Sequence, residues 1–384
     1  MAVTLRVAFT EEIDEPDSAL EEILGQLKPD ELKAHTLGIL YCCVEFVESG
    51  VATHIARELP FDVVGMSSMA SASLADKGLY RLTLAVLTSD DARFATVSTA
   101  PLSADNYQQA IAEAWQEAVA RTEAPACFAI GFLPFLRDIA GQEILDAFDA
   151  ASGCVPLWGS IASGSDMTYA DCCTIHNERA EQQSATFALI EGAIEPEFVV
   201  TSIPERNIYE HKAVITKSQG CVLSEVNDTP VLDYMHNLGI LFNQGDQTTI
   251  PLMIDYRDGS QPIALAMYAF LDDGSILCGG SMPEGALLSL GEIDSQGILE
   301  TAQTSLDELL ALTDKSGFLL CPCSTRFMML APRQEDEMAV VIERLEGAAP
   351  YMLGYSGGEL CPVKAEDGSW RNRFHNFTFT ACAL

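Results

Sequence analysis

The chain has 384 residues, 48% of them apolar, so it is long enough for two ordinary domains and too apolar for long disorder. With 56 acidic residues against 21 basic ones, its formal net charge is −35. A surface of that sign repels nucleic acids and anionic membranes alike, and excludes both as expected partners.

The first residues, MAVTLRVAFTEEIDEPDS, turn acidic before an export signal can form, and no apolar run reaches the length of a membrane span. A cytoplasmic location follows as the expectation, with the twelve Cys as reduced thiols. Apolar periodicity then predicts elements in order. LRVAFT, LGILYCCVEF, DVVGMSSMA and RLTLAVLT are expected strands, and SALEEILGQL and GVATHIARELP expected helices. NYQQAIAEAWQEAVART is a strong helix pattern, with Asp105 as its expected N-cap. CFAIGFLPF (strand), GQEILDAFDAA (helix) and VPLWGSIASG (strand) follow. SATFALIEG and EFVVTS are expected to pair as a hairpin.

The order repeats. Strand, helix, Gly-bearing strand end, then hairpin or strand recurs from LGILYCC, from CFAIGF and from GFLLCPCSTRF. Gly65, Gly159 and Gly354, each followed closely by Ser67, Ser160 or Ser356, are expected at one equivalent turn. The expected fold class is therefore α/β and multilayer, with mixed β-sheets flanked by helices and built from repeated strand-helix-strand-hairpin units. Between the second and third units, AVITK and CVLSEV meet at Gln219-Gly220, Asn227-Asp228 makes a turn, and Thr229-Pro230 opens a helix. The halves are expected to divide at 1–205 and 206–384, near SIPERNIYE and without a flexible linker.

Chemistry concentrates in the third unit. Arg326 follows an apolar strand, where its planar fork suits a carboxylate or phosphate; pairing with an acid such as Glu359 is the plainer alternative. The Gly354, Ser356, Gly358 and Glu359 turn, with His375, Asn376, Thr378 and Cys323, offers amides, a carboxylate and an imidazole for a small zwitterion. A structural polar cluster would use the same residues. His236, beside Met235, or His375 is the expected axial ligand if haem binds. Cys321-Pro-Cys323 lacks the partners of a structural zinc site. Gly354-Tyr-Ser356-Gly-Gly358 matches G-x-S-x-G, but no helix is expected after Ser356, so a hydrolase using Ser356 or Cys323 is disfavoured.

Taken in order, AVITKSQGCVLSEVNDTPVLDYM, Cys323-Ser-Thr-Arg326, Gly354-x3-Gly358-Glu359 and His375-Asn376-x-Thr378 resemble the C-terminal FIST domain. Residues from about 25 to 200 resemble the N-terminal FIST domain. The resemblance implies a sensory module of bacterial signalling that binds a small ligand such as an amino acid, and is not an enzyme. Some members of that family carry haem and sense nitric oxide. The two halves take up nearly all of this chain, so a signalling partner such as a kinase or cyclase is expected in trans.

Overall fold

The computed structural model describes residues 3–74, 76–166, 168–240 and 249–384. The first unit comprises β1 (Thr4–Thr10), α1 (Pro16–Leu27), β2 (His35–Cys42), α2 (Val44–Glu48), α3 (Val51–Glu58), β3 (Val63–Ser67), β4 (Ser71–Ser73), β5 (Asp76–Gly78) and β6 (Leu82–Ser89). The second comprises β7 (Arg93–Ser98), α4 (Tyr107–Val119), β8 (Ala126–Leu133), α5 (Gly141–Ser152), β9 (Leu157–Ile161), β10 (Thr174–His176), β11 (Arg179–Glu181) and β12 (Thr186–Glu191).

After β13 (Glu197–Thr201) comes a separate mixed block: β14 (Ala213–Gln219), β15 (Val222–Val226), β16 (Thr229–Pro230), α6 (Val231–Asn237), β17 (Leu252–Asp255), β18 (Ile263–Leu265), β19 (Met267–Phe270), β20 (Ile276–Cys278) and β21 (Leu287–Leu290). Its strands form one eight-stranded sheet. The third unit closes the chain with α7 (Ser295–Ala311), β22 (Phe318–Pro322), α8 (Ser324–Met329), α9 (Asp336–Leu345), β23 (Tyr351–Gly354), β24 (Gly358–Lys364), β25 (Trp370–His375) and β26 (Phe379–Ala383).

Three six-stranded sheets share one plan. Their orders are β1-β6-β2-β3-β10-β11, β7-β12-β8-β9-β24-β25 and β13-β26-β22-β23-β4-β5. In each, the third and fourth strands are parallel and every other pair is antiparallel. Each unit gives a hairpin to another unit's sheet: β4–β5 to the third, β10–β11 to the first, β24–β25 to the second. The repeat read from the sequence is therefore a cyclic exchange of strands. Two of these sheets combine strands from both sides of residue 205.

That exchange corrects the expected hairpins. β12 pairs with β7 and β8, whereas β13 pairs with β26, so SATFALIEG and EFVVTS part into different sheets. β6 and β7 separate in the same way. LGILYCCVEF also divides, because its strand ends at Cys42 and Val44 starts a helix. Asn106, not Asp105, precedes α4, and its side chain takes the Ser103 amide at 2.8 Å instead of capping the helix.

Burial follows the layering. All eight residues of β6 are buried, as expected for a strand covered on both faces. On α4 the buried set is Ala110, Ile111, Ala114, Trp115 and Ala118, one stripe at helical spacing. Gly65 and Gly159 lie so close to the strand beside them that a Cβ would sit 2.1 Å from the Leu40 carbonyl oxygen or 1.8 Å from that of Gly131. Gly354 is not their third counterpart. Ser68, Ala162 and Ser356 each donate their amide to the last residue of β2, β8 or β22; counting back three residues gives Gly65, Gly159 and Leu353. Ser67, Ser160 and Ser356 are likewise not equivalent. The three turns still interlock. The hydroxyls of Ser68 and Ser163 both donate to the Tyr355 carbonyl, at 3.0 and 2.8 Å.

All twelve cysteines are free thiols, and Cys154 alone is exposed. No helix among the described residues is long and apolar enough to cross a membrane.

Candidate functional site

Arg326, in the first turns of α8, is completely buried. Its Nε and Nη2 donate to Glu337 Oε1 at 2.9 and 2.6 Å. Nη1 and Nη2 also reach the carbonyls of Ser202, Phe377 and Ile298 and the Thr301 hydroxyl, all within 3.3 Å. Tyr355 donates its hydroxyl to the other Glu337 oxygen at 3.0 Å. This fork has no donor left for a ligand, and its acidic partner is Glu337 on α9, not Glu359.

Glu359 organises a second buried cluster. Ser356 donates to its Oε1 at 2.5 Å, and Thr378 donates its hydroxyl to Oε2 at 2.6 Å and its amide at 3.3 Å. Burial lifts the carboxyl to about 7, against the pull of Ser356, Thr378 and the Cys323 thiol, which all donate to it. Burial likewise pushes the Cys323 thiol well up, away from the nucleophilic thiolate. β24, not a helix, follows Ser356, so the nucleophile elbow is absent there.

His375 is the register partner of Glu359. Its Nε2 meets the Cys361 carbonyl at 2.9 Å, Nδ1 has no partner among the described residues, and burial depresses its pKa to about 4. Asn376 ties this corner to the eight-stranded sheet. Its Oδ1 accepts the Ala266 amide at 2.9 Å, and its Nδ2 donates to Tyr268 Oη at 3.2 Å. Gly354 faces the Tyr41 ring, and Gly358 faces Phe374 so closely that a Cβ would lie 2.3 Å away.

The third-unit residues singled out in the sequence are thus brought together, Arg326 excepted, but as packed interior. None of Cys323, Arg326, Ser356, Glu359, His375, Asn376 or Thr378 is more than 3% exposed. They are hydrogen-bonded to one another and to neighbouring backbone in the protein interior. Of the two expected haem ligands, His375 is buried with Nε2 on the Cys361 carbonyl, and His236 lies exposed at the end of α6, a helix of seven residues. The buried, carbonyl-bonded His375 does not fit a haem ligand. Among the described residues, no group of three or more His, Cys, Asp or Glu side chains can hold a metal.

An open cleft lies in the second unit. A cleft of about 370 Å³ is bounded by the loops that follow β8 and β9, at the carboxyl ends of two parallel strands. Phe135, Arg137, Asp138, Tyr169, Gln182 and Gln183 supply its aromatic and polar lining. Phe135 and Tyr169 stack with centroids 4.6 Å apart. Arg137 and Asp138 are exposed and make no ion pair or hydrogen bond with another described residue. No motif marked these residues in the sequence.

Tyr169 belongs to both regions. Its backbone is left-handed, at φ 54°, an unusual state for a bulky residue. Its ring fits against Gly357, where a Cβ would stand 2.9 Å from the ring. Its hydroxyl lies 3.0 Å from Ser324 Oγ. The Ser324 amide then donates to the Ser356 carbonyl at 2.8 Å, and Ser356 holds Glu359. A continuous path therefore runs from the cleft wall into the buried cluster of the third unit.

Residues 36–229 match the FIST N domain and residues 234–362 the FIST C domain. No curated protein gives a significant match. Among solved structures, the chain is similar to a cyanuric acid hydrolase from A. caulinodans, with 10% identity and a TM-score of 0.39 over 100% of this chain and 99% of that one. A second cyanuric acid hydrolase, described as an evolutionary innovation by structural concatenation, gives 8% identity and a TM-score of 0.33, with both chains fully covered. Similarity that low carries no statement about activity.

Proposed function

We propose that this chain, which belongs to the FIST family, senses a small zwitterionic metabolite of the amino-acid class in the Arg137 cleft and reports occupancy through Tyr169. FIST domains are sensory modules of signal transduction, usually non-catalytic, so ligand binding rather than turnover is the activity to explain. The observation that carries the reading is the double membership of Tyr169, which lines the cleft and hydrogen-bonds Ser324 of the second half.

The chemistry suits such a ligand. The Arg137 guanidinium is matched to a carboxylate, Asp138 to an ammonium group, and the stacked Phe135 and Tyr169 rings to an apolar side chain. A ligand that displaces or clamps the Tyr169 ring biases the Ser324–Ser356–Glu359 path, provided it binds one arrangement more tightly than the other. A partner in trans, of the kinase or cyclase type, would read the resulting change in the third unit.

A thermal-shift panel of amino acids and small carboxylates tests this on the full chain. One chemical class should raise the melting temperature, and Arg137→Ala should abolish that rise. No shift across the panel, or a shift that survives Arg137→Ala, overturns the assignment.

A further inference from the structure

A second cleft, of about 340 Å³, opens at the amino ends of the parallel strands β2 and β3, and the sensory reading makes no use of it. Its lining contains no acidic residue at all. In a chain with 56 acidic residues against 21 basic ones, that local composition is distinctive. The polar groups it offers are Lys33, His35 and Thr36, and its aromatic walls are Phe61 and Phe94.

Three acids flank the lining directly in sequence: Asp30, beside Pro29, is exposed to solvent, and the other two have partners of their own. Glu31 pairs with Arg6 at 3.0 Å. Asp62 accepts the Thr96 hydroxyl at 2.7 Å and the Asn177 amide at 3.2 Å. Lys33 has only a 3.9 Å approach to Asp90, a carboxylate 67% exposed, and so distant a surface pair contributes little. His35 is half-buried and makes no side-chain hydrogen bond or ion pair with another described residue. Two cationic or hydrogen-bonding side chains thus face a cleft with no acidic residue in its lining.

We propose that this cleft binds a small aromatic carboxylate, its ring held by Phe61 and Phe94 and its carboxylate by Lys33 and His35. The volume suits a single-ring ligand, since small-molecule sites begin at about 300 Å³. The aromatic walls supply apolar area and an edge or stacked contact to the ring. The protein's overall negative charge does not forbid an anion here, because salt screens charges beyond about 8 Å at physiological ionic strength. Within that radius Asp90 lies 3.9 Å from Lys33, but it is 67% exposed, and an anion whose ring also contacts the aromatic walls competes with it for the lysine. The site is separate from the Arg137 cleft and shares no lining residue with it.

Benzoate titrated into the full chain, read by ligand-observed NMR and calorimetry, tests the assignment. Saturable binding of one equivalent is expected, with benzylamine, its charge-reversed counterpart, binding at least about tenfold more weakly. Lys33→Glu and Phe61→Ala should each weaken benzoate at least about tenfold, while Arg137→Ala leaves it unchanged. Lys33→Gln, which keeps the stem without the charge, should weaken it too and guards against a folding artefact in the glutamate variant. Absence of saturable binding, retention in Lys33→Glu and Lys33→Gln, loss in Arg137→Ala, or equal binding of benzylamine would each overturn the proposal. Failure of the amino-acid panel alone would leave this site standing.

Discussion

The interior of the third unit and the rim of the second-unit cleft hold the same kinds of polar side chain in opposite states. Arg326 is buried, paired with Glu337 and surrounded by carbonyl acceptors. Arg137 is exposed on a cleft and has no protein partner among the described residues. An arginine whose donors are all taken holds the fold together, whereas one left open beside aromatic rings is available for recognition. Tyr169 is the joint between the two states.

The largest effect should come from breaking the buried pair. Arg326→Ala leaves Glu337 buried without its cation, and should lower unfolding free energy by about 3–5 kcal/mol in denaturant titrations. A loss below about 1 kcal/mol would remove the structural half of the comparison.

Next in size is a pH effect from the Glu359 cluster. Its folded pKa, about 7, stands above the ordinary 4.5. Below 4.5 both states are protonated and the group is neutral in its effect. As pH rises toward 7 the unfolded chain ionises first, so stability falls, by up to about 3 kcal/mol at the upper end. Glu359→Gln should flatten that limb of a stability-versus-pH profile. His375 slopes the other way, because its depressed value of about 4 means stability is lost as pH falls from 6.5 toward 4. His375→Gln should flatten the acid limb, and an unchanged slope in either variant contradicts the burial assigned to that group.

Arg137→Ala sharpens the comparison from the other side. Affinity for the panel's best amino acid should fall at least about tenfold, with stability unchanged within about 0.5 kcal/mol. The smallest effect is expected for Tyr169→Phe. It removes a hydrogen bond worth about 1 kcal/mol and should leave affinity within about threefold while uncoupling the second half.

Much of this architecture was legible beforehand, because helices such as α4 and α9 carry a clear apolar stripe and the unit order recurs three times. The exchange of strands was not legible. A short connection such as that between β6 and β7 looks like a hairpin loop in one dimension, and nothing local says that its two strands enter different sheets. The register that sets Leu353, not Gly354, opposite Leu320 is likewise a property of pairing rather than of residue type.

For the site, sequence drew attention to Arg326 because it follows an apolar strand, but a lone arginine carries no sign of its own burial. Arg137 sits in FLPFLRDIAG, a loop without a motif, and its role depends on Tyr169, Gln182 and Gln183 arriving from distant segments. Glu359, Ser356, Cys323 and Thr378 do assemble as their grouping suggested, in a buried hydrogen-bonded cluster.

The central claim is that occupancy of the Arg137 cleft is transmitted through Tyr169. Hydrogen exchange at the Ser324 and Ser356 amides, measured with and without the panel's strongest-binding amino acid, tests it most directly. The account predicts that the ligand changes exchange at these two amides in the wild type and not in Tyr169→Phe, although both proteins bind it. Unchanged exchange in the wild type, or the same change in both proteins, would contradict it.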